Sequence, residues 1–455
     1  MSKTNRAARA LVWGILCLSC VPAALGQGRY IEIAIRNSRP SIYHEAIVLP
    51  SSEGGSVSVH FRIPNSLLVF LQRGDVFVAD VEATVEVFSE KRKRDERTWH
   101  GSTSAATFDV TQSKTTDLAG FVEFGLPPGE YSYRLLLNEG ATLDRRSAQP
   151  KAIVVPDPAS QEVWRPFFVS EIKTSEAMLE LTPTGLGGEA PFADSAEAAV
   201  PVLGLLEDAA VEYFLYSVAP ENEEALQKAG RLEHYNIRNG DLLVRQGTAR
   251  TIVPFGADAD DCFCRDLTTD SSIHLALLDL ETETLEAGFY VADIRVKRGG
   301  KSASSQLIFT THWRDMPISL YDVEVAIRNL EFIDTRERVR SMLKGSRRER
   351  IEQLRAYWKQ RDPTPGTLAN ELMEEYYRRV DQAALEYRTG GAPYPDGLRT
   401  DAARIYIVNG PPEEVTHSFP SSGGVEQVWR YGDGRTFVFR SNSSLEPLVL
   451  VEDRG

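Results

Sequence analysis

Four places in this 455-residue sequence gather residue types that could do chemistry. His44-Glu45 begins like the His-Glu-x-x-His of a zinc protease, where two imidazoles one helical turn apart hold the metal. Position 48 is Val and the segment alternates like a strand, so the second ligand is missing. Gly185-Leu186-Gly187-Gly188-Glu189-Ala190 has the glycine spacing of a dinucleotide fingerprint. It follows a Thr-Pro turn where the fingerprint needs the closing strand of a βαβ unit. Asp258-Ala259-Asp260-Asp261-Cys262-Phe263-Cys264-Arg265-Asp266 is rich in ligand types, yet as a calcium loop it puts Phe263 where glycine is needed and Thr269 where a bidentate glutamate is needed. Cys262 and Cys264, two apart on an extended strand, point to one side. A disulfide is the first expectation for an exported chain; a two-thiolate metal site with ligands from elsewhere, free thiols, or a bridge to a partner are the alternatives. No metal site and no cofactor are assigned, no Gly-x-Ser-x-Gly elbow appears, and the seven histidines stand apart.

The fourth place lies near the C-terminus. A helix is expected from about Thr367 to Thr389, with Leu372, Tyr376, Val380, Ala383 and Tyr387 on one stripe and Gly390-Gly391 as its stop. Arg379 falls inside that stripe and must find a carboxylate or carbonyls, with Asp401 and Glu375 the natural candidates. If its carboxylate partner is buried, Arg379→Ala is expected to cost roughly 3 kcal/mol or more. Asn370, Glu371, Arg379, Thr400, Asp401 and Arg404 could form a polar binding site or a structural clasp. The clasp is the preferred reading, and none of the six is assigned a catalytic role.

The elements that must position these residues change character along the chain. Residues 1–26 read as a signal peptide: Lys3, Arg6 and Arg9, an apolar run from Leu11 to Leu18, then Ala24-Leu25-Gly26 before cleavage at Gln27. That run is shorter than the ~20 residues a bilayer span needs. Leu18-Ser19-Cys20 is a partial lipobox, so a lipid anchor at Cys20 is a lesser alternative. Removing residues 1–26 takes away three cations and no acid, which moves the net charge from −14 to −17. So acidic a surface repels phosphate backbones, and no nucleic-acid partner is expected.

From Tyr30 onward the chain alternates with period 2, as in Ile31 to Ile35, Val57 to Phe61 and Val76 to Val87. Leu126-x-x-Gly129-x-Tyr131 is echoed 159 residues later by Leu285-x-x-Gly288-x-Tyr290, each leading into a strand. The glycine in each copy is expected to supply a positive φ. Two β-sandwich domains of immunoglobulin-like type are therefore expected, at 27–157 and 158–318. A smaller α+β domain, 319–455, follows. Ser346-x-x-Glu349 caps one helix, and Asp362-Pro363-Thr364-Pro365 separates it from the second. Arg404 to Val408 reads as a strand, and Gln427 to Tyr431 pairs with Thr436 to Arg440 as a hairpin. The two helices are expected to pack on the hairpin's aromatic face. The fold class is thus mainly β with an α+β C-terminal domain.

This last region resembles the GWxTD domain family of bacterial exported proteins. The resemblance runs through Tyr357-Trp358, Arg361-Asp362-Pro363-Thr364, Asn370-Glu371, Tyr376-Tyr377-Arg378-Arg379-Val380, Thr400-Asp401, Arg404-Ile405-Tyr406-Ile407 and Gly410-Pro411-Pro412-Glu413-Glu414 to Trp429-Arg430-Tyr431. The name-giving Gly-Trp is Gly397-Leu398 here. The resemblance implies no established activity. The expectation is therefore an exported, periplasmic or secreted scaffold or binding protein whose C-terminal domain meets another envelope protein. A hydrolase-type enzyme working through the C-terminal polar residues and an outer-membrane lipoprotein with an assembly role are the alternatives.

Overall fold

The structure is a computed structural model that describes residues 42–454, except 52–53, 140–144, 175–177, 205–208, 220–221, 224–225, 227–233, 255–263, 267–272, 388–395, 421–423 and 443–445. The signal segment, Cys20, Cys262 and the Gly390-Gly391 stop lie outside the described residues, and Cys264 is described only as backbone at the start of a strand. With 48% of residues in strands and 22% in helices, the chain is mainly β. Residues 40–315 form one compact unit and 316–455 belong to a second.

In the first unit the period-2 text becomes antiparallel sheet. Strands β1 (Tyr43–Ser51), β2 (Gly54–Pro64), β3 (Leu71–Arg73), β4 (Val76–Ser89), β5 (Arg92–Ala105), β6 (Asp117–Leu126), β7 (Gly129–Glu139), β8 (Arg145–Ser147) and β9 (Lys151–Val155) fill residues 43–155. One sheet runs β1-β2-β6 and the other is built on β4 and β7. Val57, Val59, Phe61 and Ile63 alternate inward from β2 and meet Ala83, Val85, Tyr133 and Leu135 from the facing sheet. Each of the valine, isoleucine, leucine and phenylalanine side chains contributes roughly 1.5–3 kcal/mol on leaving water. β5 bonds to β4 alone among the described strands, and its charged start, Arg92 to Arg97, stays largely in solvent.

A second pair of sheets follows. It uses β10 (Phe167–Thr174), β11 (Met178–Pro183), β12 (Ala190–Pro191), β13 (Glu197–Leu203), β14 (Ala210–Ser217), β15 (Leu242–Thr248), β16 (Thr251–Pro254), β17 (Cys264–Asp266), β18 (Ile273–Asp279), β19 (Gly288–Arg298) and β20 (Lys301–His312). The orders are β16-β18-β13-β10-β11-β17 and β12-β20-β19-β14-β15. Phe168, Val200 and Leu278 face Leu215, Ile294 and Phe309 across the core. Ile47 and Leu49 of β1 join Phe167, Val169 and Leu277 in a smaller apolar seam between the two sheet pairs.

The internal echo has a structural meaning. Tyr131 donates its hydroxyl to the carbonyl of Pro127, and Tyr290 does the same to Glu286, each at 2.9 Å and four residues back. Gly129 has a positive φ, but Gly288 does not. What the two copies share is therefore the tyrosine tie that closes the turn, and the expectation of a positive φ fails in the second.

The second unit carries α1 (Val323–Asn329), α2 (Arg336–Met342), α3 (Arg347–Lys359), α4 (Glu371–Glu386), α5 (Asp401–Asn409) and the meander β21 (Glu414–Ser418), β22 (Val425–Arg430), β23 (Thr436–Ser441) and β24 (Val449–Arg454). The sequence expectation of two helices is short by three. Arg404 to Val408, expected as a strand, is helical: Thr400 caps α5, and Ala402, Ala403, Tyr406 and Ile407 bury one face of it. The cap and the burial override the β preference of Ile-Tyr-Ile-Val. The hairpin of β22 and β23 forms with Trp429 opposite Phe437, and both are buried with Tyr376, Tyr377 and Tyr406 in one core. Among the described residues no helix is long and apolar enough to cross a membrane.

Candidate functional site

The polar residues singled out in the C-terminal domain are positioned by the start of α4 and the start of α5. Asn370 is buried and caps α4, its side-chain oxygen accepting from the Met373 N–H at 2.8 Å. Its amide nitrogen donates to the Trp358 carbonyl at 3.0 Å, which ties the end of α3 to the start of α4. Beside it Glu371 accepts from the Thr364 hydroxyl at 2.5 Å, and that bond lowers the carboxyl's pKa. The Asp362-Pro363-Thr364-Pro365 break thus supplies a partner to the next helix.

Arg379 sits midway along α4. Its Nε donates to Glu375 at 2.7 Å, a helical pair of the i, i+4 kind in which the arginine side chain is 27% and the glutamate 44% exposed. The actual buried stripe is Tyr376, Tyr377, Val380, Asp381, Ala383 and Ala384, with Leu372 48% exposed. Arg379 therefore lies at the margin of the core, and of the two partners foreseen it takes Glu375. A half-solvated pair contributes little. Arg379→Ala is expected to lower stability by no more than about 1 kcal/mol, below the value expected for a buried partner. A thermal melt showing a loss near 3 kcal/mol would contradict this placement.

Gly410, which ends α5, lies against the same guanidinium: a Cβ there would stand 3.0 Å from Arg379 Cζ. Its φ of +83° suits glycine alone, and its carbonyl accepts from the Tyr431 hydroxyl at 2.9 Å.

The name-giving segment, Gly397-Leu398-Arg399-Thr400-Asp401, docks the start of α5 on the end of α4. At Gly397 a Cβ would meet the carbonyl oxygens of Ala383 and Ala384 at 2.7 and 2.8 Å, so only glycine allows this approach. Leu398 packs among Ile318, Val325 and Ala384. Thr400 accepts from the Ala403 N–H at 3.1 Å and donates to the Gly397 carbonyl at 2.9 Å. Asp401 accepts from the Leu450 N–H at 3.0 Å, holding β24 to α5. Arg404 is exposed and makes no side-chain hydrogen bond or ion pair among the described residues.

These six residues do not meet at one point. Asn370 and Glu371 stand at one end of α4, and the Thr400-Asp401 turn docks at the other, roughly 20 Å away at 1.5 Å per residue. Four of the six make bonds that join one element to the next. Two clusters escaped the sequence reading. Asp381 is buried on α4 and accepts from the Ser319 N–H at 3.1 Å and hydroxyl at 2.6 Å, while Asn329 donates to that hydroxyl at 3.1 Å. Its signal was an acid adjoining Val380 in the apolar stripe. The second surrounds Tyr357, whose ring lies beneath the Arg361 guanidinium at 3.7 Å, with Arg361 and Arg338 both within ion-pair reach of Asp334. Burial pushes the Tyr357 pKa upward, and the hydrogen bond to Asp334 adds to the rise. No group of three or more metal-ligating side chains occurs among the described residues.

Taken together, the chain is a mainly β protein that ends in a helical layer packed on a four-stranded meander. Residues 297–446 match the family model of the GWxTD domain, and the C-terminal region carries this domain. No curated protein matches the chain. Among the solved structures that match, one described as BspA_C_mut is 8% identical, with 60% of this chain and 98% of its own covered at a TM-score of 0.15. A superposition that poor carries no argument.

Proposed function

We propose that the protein is an exported envelope or secreted scaffold and binding protein. In this reading residues 27–318 form two immunoglobulin-like sandwiches, and the GWxTD domain binds another envelope protein. The sandwich assignment is supported by the facing antiparallel sheets and by the paired tyrosine ties, which resemble the tyrosine corner of that architecture. Export is supported by the basic, apolar and small-residue series over residues 1–26.

The observation that carries the interaction reading is the outer strand β21. All five of its residues are exposed, it pairs with β22 alone among the described strands, and Phe419 directly after it is 78% exposed. An open backbone edge beside a bare aromatic ring suits the addition of an extended segment from a partner. The polar residues at the two ends of α4 favour this over hydrolysis, because a hydrolytic site needs its groups within a few ångströms of one substrate.

The test is a cross-linking pull-down on intact cells with wild type, Phe419→Asp and Val415→Lys, each checked for folding by its melting transition. A defined partner captured by wild type and lost by at least tenfold in both folded variants is the expected result. Capture that is undiminished in both would overturn the β21 edge as the contact.

A further inference from the structure

The glycine-rich stretch Gly187-Gly188-Glu189 lines a cavity in the β-rich unit. The cavity is about 470 Å³ and lies at the seam of the two sheet pairs. Its walls bring in Glu45 from β1, Tyr133 from β7, Lys151 from β9, and Arg165 and Glu189 from connecting segments. Ile47, Phe167 and Leu307 supply an apolar side. A second hollow of about 270 Å³ adjoins it and shares Ala46, Val48, Ala152 and Arg165. This volume lies in the range of small-molecule sites, which favour seams of this kind.

Gly187 and Gly188 have φ of +73° and +81°. A Cβ on Gly187 would stand 3.1 Å from Lys151 Nζ and 3.3 Å from the His44 carbonyl, so glycine is what lets this turn form the wall. Lys151 Nζ donates to that same carbonyl at 2.5 Å, and the His44 ring bonds to the Tyr133 hydroxyl at 2.9 Å. The polar side of the cleft is thus built from interlocked groups.

The charges decide the ligand. Two cations and two carboxylates balance, and each of the four already has a partner within the protein. A ligand that engages them must replace those partners. A simple anion would meet Lys151 and Arg165 but would bring its charge beside Glu45 and Glu189, and a simple cation would do the reverse. Either sets like charges together at a partly buried site, which is unfavourable. A molecule carrying one charge of each sign can place each beside its opposite.

We propose that this cleft binds a small zwitterion, an α-amino acid or dipeptide. Its carboxylate faces Lys151 and Arg165, its ammonium faces Glu45 and Glu189, and its side chain rests on Ile47, Phe167 and Leu307. This site is independent of the β21 edge and stands or falls separately.

Titration calorimetry on the full chain tests it, with the twenty amino acids and alanyl-leucine as probes. At least one zwitterion with an apolar side chain is expected to bind, and its amine-only and acid-only analogues are each expected to bind at least tenfold more weakly. Arg165→Gln should weaken binding by at least tenfold. Ala152→Trp, at an exposed position that lines both hollows, should abolish binding with the melting transition unchanged; it carries the test if Arg165→Gln fails to fold. Failure of every zwitterion to bind, equal binding of a singly charged analogue, or binding that survives Ala152→Trp would each overturn the proposal.

Discussion

Between pH 6.5 and pH 3 the β-rich unit is expected to lose several kcal/mol of stability, because two of its histidines are buried in uncharged form. His44 and His60 both have pKa values pushed down to about 3. Burial is the main cause at each, reinforced by Lys151 beside His44 and by Arg62 beside His60. In the folded chain both rings stay neutral until the pH nears 3, whereas in the unfolded chain they take up protons near pH 6.5. The unfolded state therefore binds more protons across this window, and stability falls as the pH drops through it. Above about pH 7.5, where the unfolded rings are neutral as well, the two contribute no pH dependence.

At pH 4.5, two units below the unfolded value, each histidine costs roughly 2.7 kcal/mol, or about 5 kcal/mol for the pair. The C-terminal unit has one histidine, His417, and it is exposed on β21. Hydrogen exchange at pH 7 and pH 4.5 should show protection lost across β1, β2 and β7 well before it is lost across α4. The variant with both His44→Gln and His60→Gln should be much less sensitive to acid. Equal sensitivity in that variant and in wild type would remove the histidines as the cause.

Gly397→Ala is expected to destabilise the C-terminal domain more than loss of either polar residue in the same motif. Its Cβ would stand 2.7 Å from the Ala383 carbonyl oxygen, and the obstacle is helix backbone, which cannot turn aside as a side chain can. Forcing the contact pushes α5 away from α4, at a cost of roughly 2–3 kcal/mol in a packed core. Thr400→Ala, which removes the cap of α5 and the bond to the Gly397 carbonyl, should cost about 1–2 kcal/mol. Denaturant unfolding followed by exchange in peptides from α4 and α5 ranks the two. If Thr400→Ala proved the more damaging, the close approach of Gly397 would not be what the motif secures. Leu398 fits the same account, since an aliphatic chain packs beside Ala384 where the family carries an indole.

The sequence disclosed most where a single periodicity governs. Val57, Val59, Phe61 and Ile63 declare an inward face at every second residue, and the structure uses all four in the core. The Ser346–Glu349 capping box and the hairpin of Trp429 with Phe437 were legible for the same reason: both are local. Reading failed where a tertiary contact decided the outcome. Ile405 to Val408 has strand-like residues, and only docking on α4 together with the Thr400 cap makes it helical. A helical stripe through Leu372 places Arg379 inside the core and Asp381 outside it. Rotating the stripe to include Tyr377 and Ala384 reverses both. The cleft was illegible for a different reason. Glu45, Lys151, Arg165 and Glu189 are separated by up to 144 residues, and nothing in their local text brings them together.

The long outer strand β5 has a consequence for solubility. Among the described strands its fourteen residues pair with β4 alone, and a strand bonded on one flank is where another molecule's backbone can add. Six consecutive ionised side chains, Arg92 to Arg97, occupy its opening stretch. Stacking there would strip water from all six at once, a penalty that few added backbone bonds can match. Charged groups at such a strand oppose edge-to-edge pairing, the role gatekeeper residues play beside exposed strands.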